Sequence, residues 1–314
     1  MPTYNCASYI SDAIKSILNQ TYKEFEFLII DDGSTDNTKE IVYSFNDSRI
    51  RYIKKGNTGL SDSLNYGLRV ASNDLIARMD ADDISLPGRL ETQLKYLKEN
   101  QQYDIISSWY GILYKKKIKY IIKTPTEDKE IKKGLLLHSY SCHAAVLYNR
   151  NVILKHGGYR DVIFEDYDLW LRLMNQVNFY NIPQILYLLR FRKDSLSRNN
   201  MIERYKDQYS LQAKYYDDLK YYFNISKGEE IINRGWREYF YGDKKKARKY
   251  WKNCLFINLN YKLYLAYIIT FLPGNIFISF KEARIRYRVE YYLHYFEGEA
   301  KNLRQLIKLI RKSE

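Results

Sequence analysis

Three carboxylates, Asp80, Asp82 and Asp83, fall within four positions of the stretch "ARMDADDISLP", directly after the apolar run "DLIA". Like charges this close repel, and a solvated turn is made more simply from Asn, Ser or Gly, so the crowding predicts a positive partner. A second acidic pair, Asp31-Asp32, closes the run "FEFLII". Two chemistries suit such short acidic loops. A hard divalent cation takes oxygen ligands and keeps water or substrate phosphate in its remaining positions. An acid held over a neighbouring strand instead accepts hydrogen bonds from a nucleobase N–H or from ribose hydroxyls. An EF-hand reading of "DDGSTDNTKEIV" fails, because the Gly after the third acidic position and the Glu at loop position 12 are missing.

The elements that must position these acids read as alternating helix and strand. Ile10, Ile14, Ile17 and Leu18 have helical spacing within residues 8–19, and "FEFLII" is a short buried strand. It leads into a turn where Ser34, Thr35 or Asp36 is the N-cap of a following helix. "RIRYIKK" is a strand, "GLSDSLNYGLRVA" a helix and "DLIARM" a third strand. The alternation predicts an α/β fold with a mostly parallel central sheet flanked by helices, where ligands collect beyond the carboxyl ends of the strands. Both acidic clusters stand at such ends and are expected to face one crevice.

Four segments in order carry a resemblance. "MPTYNCASYISDAIKSILNQTYKEFEFLIIDDGSTDNT", "GNTGLSDSLNYGL", "DLIARMDADDISLPGRLETQLKYL" and "GGYRDVIFEDYDLWLRL" together resemble the family 2 glycosyltransferases of the GT-A (Rossmann-like) fold, over roughly residues 1–200. The resemblance implies inverting transfer of a sugar from a nucleotide-sugar donor, UDP-linked by expectation, with Mn²⁺ or Mg²⁺ as cofactor. It further implies that Tyr4 and Asp32 hold the base with Asp31 beside them, that Thr3 belongs to the donor site, that Asp80 lies near the ribose, and that Asp82 is the metal ligand. Asp166, in the Glu165-Asp166 pair, matches the general base, and His143 matches a position before a strand on the acceptor side. Asp166 and Trp170 stand at i and i+4, one helical face, so Trp170 is expected to line the acceptor pocket with Glu165 and His143. Gly157-Gly158 is read as a turn.

The chain departs from the family in two places. Relatives carry several apolar residues before the point where this sequence starts, so either the start is misassigned or truncated, or the sheet is completed differently. In "LYLLRFRKDSLS", Arg192 stands where relatives have the histidine of R-x-H-x-x-S. Arginine forks onto phosphate oxygens but is a poor metal ligand, so Arg192 is assigned to the donor diphosphate.

Residues 201–314 read as a separate helical, basic region that associates with membrane or a partner. Lys and Arg outnumber Asp and Glu by 23 to 13 there, against 28 to 24 in residues 1–200. "GWREYFYGDKKKARKYWKNCLFIN" resembles one helix–turn–helix unit with Gly242-Asp243 at the turn. "LYLAYIITFLPGNIFISF" is apolar but broken by Pro273-Gly274-Asn275, too interrupted for a span. Leu303, Leu306, Ile307 and Ile310 form an apolar stripe flanked by Lys301, Arg304, Lys308 and Arg311, the pattern of a basic amphipathic helix suited to an anionic membrane surface.

Three cysteines without C-x-x-C spacing argue against a disulfide framework or zinc site. With no charged n-region and apolar h-region at the start, a cytoplasmic protein is expected, peripheral on the inner face of the membrane, building a cell-surface polysaccharide or lipid-linked glycan. The expected partners are the donor and a glycan or lipid-linked acceptor, not nucleic acid, which would leave the clustered acids unexplained. A sugar nucleotidyltransferase would show a Gly-rich activating loop with a downstream Lys, which "MPTYNCASYIS" lacks. A non-catalytic nucleotide-sugar binder would keep Asp32 without needing Asp166.

Overall fold

The computed structural model describes residues 1–114, 117–135, 139, 141–192, 201–252, 254–255 and 261–271. The chain divides into two compact units, Met1–Ile225 and Ser226–Glu314. The first opens with β1 (Pro2–Thr3), α1 (Ile10–Leu18), β2 (Phe27–Asp31), α2 (Thr38–Tyr43), β3 (Ile50–Lys54), α3 (Leu60–Val70) and β4 (Leu75–Ala77), the alternation that the apolar spacing predicts. α1 buries Ile10, Ala13, Ile14 and Ile17, one stripe of a 3.6-residue period. β2 runs parallel between β1 and β3, with Pro2 opposite Ile30 on one side and Ile53 opposite it on the other.

None of Ser34, Thr35 and Asp36 caps α2; the N-cap position is Asn37, without a side-chain bond. The Asp36 carboxylate is drawn off instead to the Ala7 N–H at 2.9 Å and to the Thr38 N–H and hydroxyl at 3.1 and 2.6 Å. It ties the loop after β1 to the start of α2, a tertiary bond that local cap chemistry does not reveal.

The unit continues with β5 (Ile84–Ser85), α4 (Arg89–Glu99), β6 (Ile105–Tyr114), β7 (Lys117–Ile122), α5 (Asp128–Gly134), β8 (Leu147–Asn149), α6 (Arg150–Lys155), α7 (Glu165–Leu173), β9 (Phe179–Arg190) and α8 (Met201–Tyr222). A second sheet has the order β4-β8-β6-β9-β5, with β7 paired to β6. It is mixed: β6 and β9 are parallel and the other pairs antiparallel. Only two residues separate β6 from β7, too few for the crossover a parallel pair needs. Leu64 and Leu68 of α3, Tyr148 of β8, Leu169 and Leu173 of α7, and Leu219 of α8 share one core. α8 thus packs with the residues that precede it.

β1 pairs with β2 at two residues, Pro2 and Thr3. Alongside, a cavity of about 400 Å³ is lined by Leu28 and Ile30 of β2, Leu64 of α3, Ile76 of β4 and Leu147 of β8, with Glu26 and Asp74 also on its wall. Asp31, Asp32, Asp80, Asp82 and Asp166 do not line it, so it is distinct from the acidic clusters.

In the second unit α9 (Lys227–Tyr241) and α10 (Lys244–Trp251) form a helical hairpin turning at Gly242-Asp243, as the sequence predicts, followed by α11 (Tyr261–Ile269). Ser226 and Glu229 make a reciprocal capping box at the start of α9, and Asp243 accepts the Lys245 and Lys246 N–H groups at the start of α10. A Cβ on Gly235 would lie 2.1 Å from the indole nitrogen of the buried Trp251. Gly235→Ala is therefore expected to destabilise this hairpin by ~1–3 kcal/mol through overpacking, although Ala is the better helix former. A lower thermal midpoint by circular dichroism checks it; an unchanged or higher one contradicts the close packing. Among the described residues no helix is long and apolar enough to cross a membrane. The stripe Leu303/Leu306/Ile307/Ile310 and the apolar run beyond Phe271 lie outside the described residues.

Candidate active site

The first acid pair ends β2. Successive strand residues face opposite ways, so two adjacent aspartates cannot both point to solvent. Asp31 is fully buried: one carboxylate oxygen accepts the Ser34 N–H at 2.7 Å and the other the Tyr52 hydroxyl. Expected beside the base, its carboxylate is enclosed by Ser34 and Tyr52. Asp32 is 6% exposed and accepts the N–H groups of Thr58 and Gly59 at 3.0 and 2.9 Å as well as the Lys55 ammonium. Burial alone would raise its pKa, but Lys55 and the two N–H groups outweigh burial and hold it below the ordinary value. Gly33 makes the turn at φ +82°, where a Cβ would meet the Asn57 nitrogen at 3.0 Å. Thr3 is buried and offers its carbonyl to the Asp32 N–H at 2.9 Å, whereas Tyr4, next in the chain, is 47% exposed. Of these four residues expected at the donor site, Tyr4 presents its side chain openly, while Asp32, Thr3 and Asp31 are buried.

The second cluster follows β4. Arg78 grips Asp80 through two parallel bonds of 2.7 and 2.8 Å, the strong fork geometry. Arg78 is itself held from behind by the buried Arg89, which donates to its carbonyl at 2.6 Å and lies 5.1 Å from the Tyr187 ring. Burial lowers the Arg89 pKa to about 10. The Asp80 N–H donates to the Tyr187 hydroxyl at 3.1 Å. Arg192 faces Asp82 at 3.2 Å, and Arg190 donates its Nε to the Asp82 carbonyl and its backbone N–H to the Asp83 carboxylate, both at 2.7 Å. Asp83 is buried, and burial with the nearby Asp80 and Asp82 pushes its pKa well up. Burial and Asp80 raise that of Asp82 too, against the pull of Arg192 and Arg78. The positive partner predicted by the crowding is thus three arginines, of which sequence reasoning singled out Arg192 alone. Arg78 carried a legible signal, standing two residues before Asp80, the spacing that shares a face in extended chain.

The third cluster is the first turn of α7, where Glu165 and Asp166 sit at the favourable N-terminal end of the helix dipole. Asp166 is half-buried. His143 is buried: one ring nitrogen lies 3.7 Å from Glu165 and the other bonds Tyr159 at 2.9 Å, which meets Tyr148 at 3.0 Å. Trp170 is 1% exposed and packs edge-on against His143 and Phe179. Trp170 and His143, both expected in the acceptor pocket, are buried in this structure. Trp170 shares the helix face of Asp166, but one turn in, that face enters the core; His143, from the segment before β8, stands against Glu165. Gly157 and Gly158 make the expected turn, both with positive φ. Arg78 joins the clusters electrostatically, its charge acting on Asp80 and on Glu165.

Burial, and then the neighbouring Asp166, raise Glu165 from 4.5 to about 8. Between these values the unfolded chain ionises Glu165 while the folded chain keeps the proton, so this group makes stability fall as pH rises from about 5 to 8. Glu165→Gln, neutral throughout, is expected to lose less stability over that window. Urea midpoints of both proteins at pH 5 and 8 check it; equal declines would mean that Glu165 ionises freely in the folded protein.

A divalent cation fits these residues in company with a ligand. Among the described residues no three His, Cys, Asp or Glu side chains converge as a cation site. A cation that keeps water and takes substrate phosphates needs as little as one protein carboxylate, and the Asp82 side chain retains 22% exposure. The donor set suits a metal–diphosphate pair.

The fold is that of the GT-A glycosyltransferases, enzymes that draw on nucleotide sugars. The mannosyltransferase PcManGT from Pyrobaculum calidifontis, solved with GDP-Man and Mn²⁺, matches with a TM-score of 0.56 at 16% identity, over 95% of this chain and 86% of that one. A glycosyltransferase of Haemophilus influenzae is 31% identical over 330 aligned positions, 98% of this chain and 94% of the relative. The Escherichia coli UDP-Gal:alpha-D-GlcNAc-diphosphoundecaprenol beta-1,3-galactosyltransferase is 33% identical over 217, covering 66% of this chain and 78% of its own. The model of glycosyl transferase family 2 matches residues 1–157, and the chain belongs to that family. It is a glycosyltransferase, which sets aside the nucleotidyltransferase and non-catalytic readings.

Proposed function

We propose that the enzyme moves a sugar, with inversion, from a UDP-linked donor to a hydroxyl of a lipid-linked glycan in cell-surface polysaccharide synthesis. The observation that carries this reading is the grouping of Asp80, Asp82 and the Glu165-Asp166 turn around Arg78, downstream of strands that end in acids. The galactosyltransferase of Escherichia coli, with its UDP-Gal donor and diphosphoundecaprenol-linked acceptor, supports the donor and acceptor classes.

In this reading Tyr4 and Asp32 hold the base, Asp80 the ribose and Arg192 the diphosphate. Asp82 would hold a divalent cation, which when bound supplies Lewis-acid stabilisation of the leaving diphosphate. The acceptor oxygen attacks the anomeric carbon, the bond from that carbon to the phosphate oxygen breaks, and the nucleoside diphosphate leaves with the electron pair. Asp166 takes the acceptor proton, a contribution of ~10²–10⁴-fold. The test is to incubate the full chain with each of a set of UDP-sugars and a diphosphoundecaprenol-linked acceptor, with and without Mn²⁺, and to measure released UDP. Acceptor-dependent release from one donor is expected; no release from any donor rejects the UDP assignment.

The lipid acceptor places the work at a membrane surface, and the basic excess of residues 201–314 supports reversible attachment to an anionic leaflet. The full chain is expected to sediment with anionic vesicles at low salt and to be released at high salt, because screening acts over ~8 Å at physiological ionic strength. Equal sedimentation with neutral vesicles rejects the electrostatic attachment.

A further inference from the structure

Asp82 has a cation already. Arg192 Nη1 lies 3.2 Å from its carboxylate, with both side chains largely shielded. The guanidinium does not reach this place loosely: its centre is 4.9 Å from the Tyr9 ring centroid, over a ring that also carries Arg190 at 5.3 Å. Arg190 is pinned in turn by the Asp82 carbonyl at 2.7 Å and by Asp12 at 3.1 Å. Arg192 is two residues beyond Arg190, the end of β9, so strand alternation delivers both guanidinium groups to the same side, against the acidic loop.

Arg192 and a divalent cation at one half-buried carboxylate repel each other with little screening, because the neighbouring Asp80 and Asp83 already have Arg78 and Arg190, and a further anion relieves that repulsion. A nucleoside diphosphate is that anion, and its oxygens match the arginine fork. We infer that Arg192 is a resident counter-ion that competes with the divalent cation for Asp82 and yields the carboxylate when a nucleoside diphosphate takes its guanidinium. The inference rests on the assignment of the cation to Asp82 made above. Its consequence is ordered loading: free cation binds poorly to the empty enzyme, and cation and nucleotide each raise the other's affinity by the same factor. Where a metal-ligating histidine would bind the cation beforehand, this arginine keeps it out until the donor arrives.

The experiment is direct Mn²⁺ binding to the full-length protein without nucleotide, read by the electron paramagnetic resonance of free Mn²⁺. Arg192→Met is expected to bind Mn²⁺ at least about tenfold more tightly than the parent protein, the scale of one charge-assisted hydrogen bond. Arg192→Gln should do the same, and Arg192→Lys, which keeps the charge, should stay near the parent. Circular dichroism melts confirm that each is folded. Unchanged or weaker Mn²⁺ binding in the folded Met or Gln variant overturns the inference, as does binding too weak to detect in all of them. Asp82→Asn in the Arg192→Met background separates the two claims. If it leaves the gained Mn²⁺ binding intact, the cation site itself is elsewhere; if it abolishes it while Arg192→Met alone tightens binding, both stand.

Discussion

Asp166→Asn is expected to lower turnover by ~10²-fold or more while donor affinity stays nearly unchanged. Asn keeps the shape and the helix-terminal position but cannot take a proton, so an effect confined to kcat identifies proton transfer. The placement favours this residue over its neighbour. Glu165 is raised to about 8 by burial and carries a proton near neutrality, which makes it a poor base, while Asp166 is half-buried in the first turn of α7. Single-turnover kinetics with titrated donor separate the two quantities. Equal losses in donor binding and turnover would give Asp166 a structural role.

Asp82→Asn is expected to cost transfer on the order of 10²–10³-fold or more, the scale of losing one preorganised electrostatic partner of the leaving group. It should also weaken binding of the intact nucleotide sugar. The fold should not suffer. Asp82 stands beside Asp80 and the buried Asp83, and removing one of three mutually repelling carboxylates relieves strain on the other two, whose partners Arg78 and Arg190 remain. A thermal midpoint equal to or above the parent's, together with lost transfer, is the expected pairing. Undiminished turnover would remove Asp82 from the site, and a large drop in the midpoint would make it a structural residue.

The first half of the fold was legible because its signals are local. The helix read over 8–19 is Ile10–Leu18, and the strands read from "FEFLII", "RIRYIKK" and "DLIARM" are Phe27–Asp31, Ile50–Lys54 and Leu75–Ala77. The misses share one physical origin, partners distant in sequence. Asp36 left its cap for Ala7, and Trp170 followed its helix into a core built by Phe179 and Leu169. Strand alternation requires one of Asp31 and Asp32 to face inward, but which one depends on Tyr52 and Lys55, in and just after β3. Arg192 was visible as a departure from its family, yet its partner Asp82 is 110 positions away and appears only when β9 pairs against β5. The mixed second sheet was hidden for the same reason, since antiparallel and parallel pairs among β4 to β9 are set by long-range register.

The central claim is a single displacement in which Asp166 deprotonates the acceptor as the donor bond breaks. It is tested most directly by the anomeric configuration of the product, read from the one-bond C–H coupling at the transferred sugar by NMR. The account predicts the configuration opposite to that of the donor, with the product absent from Asp166→Asn on the same timescale; a product that keeps the donor's configuration would contradict it.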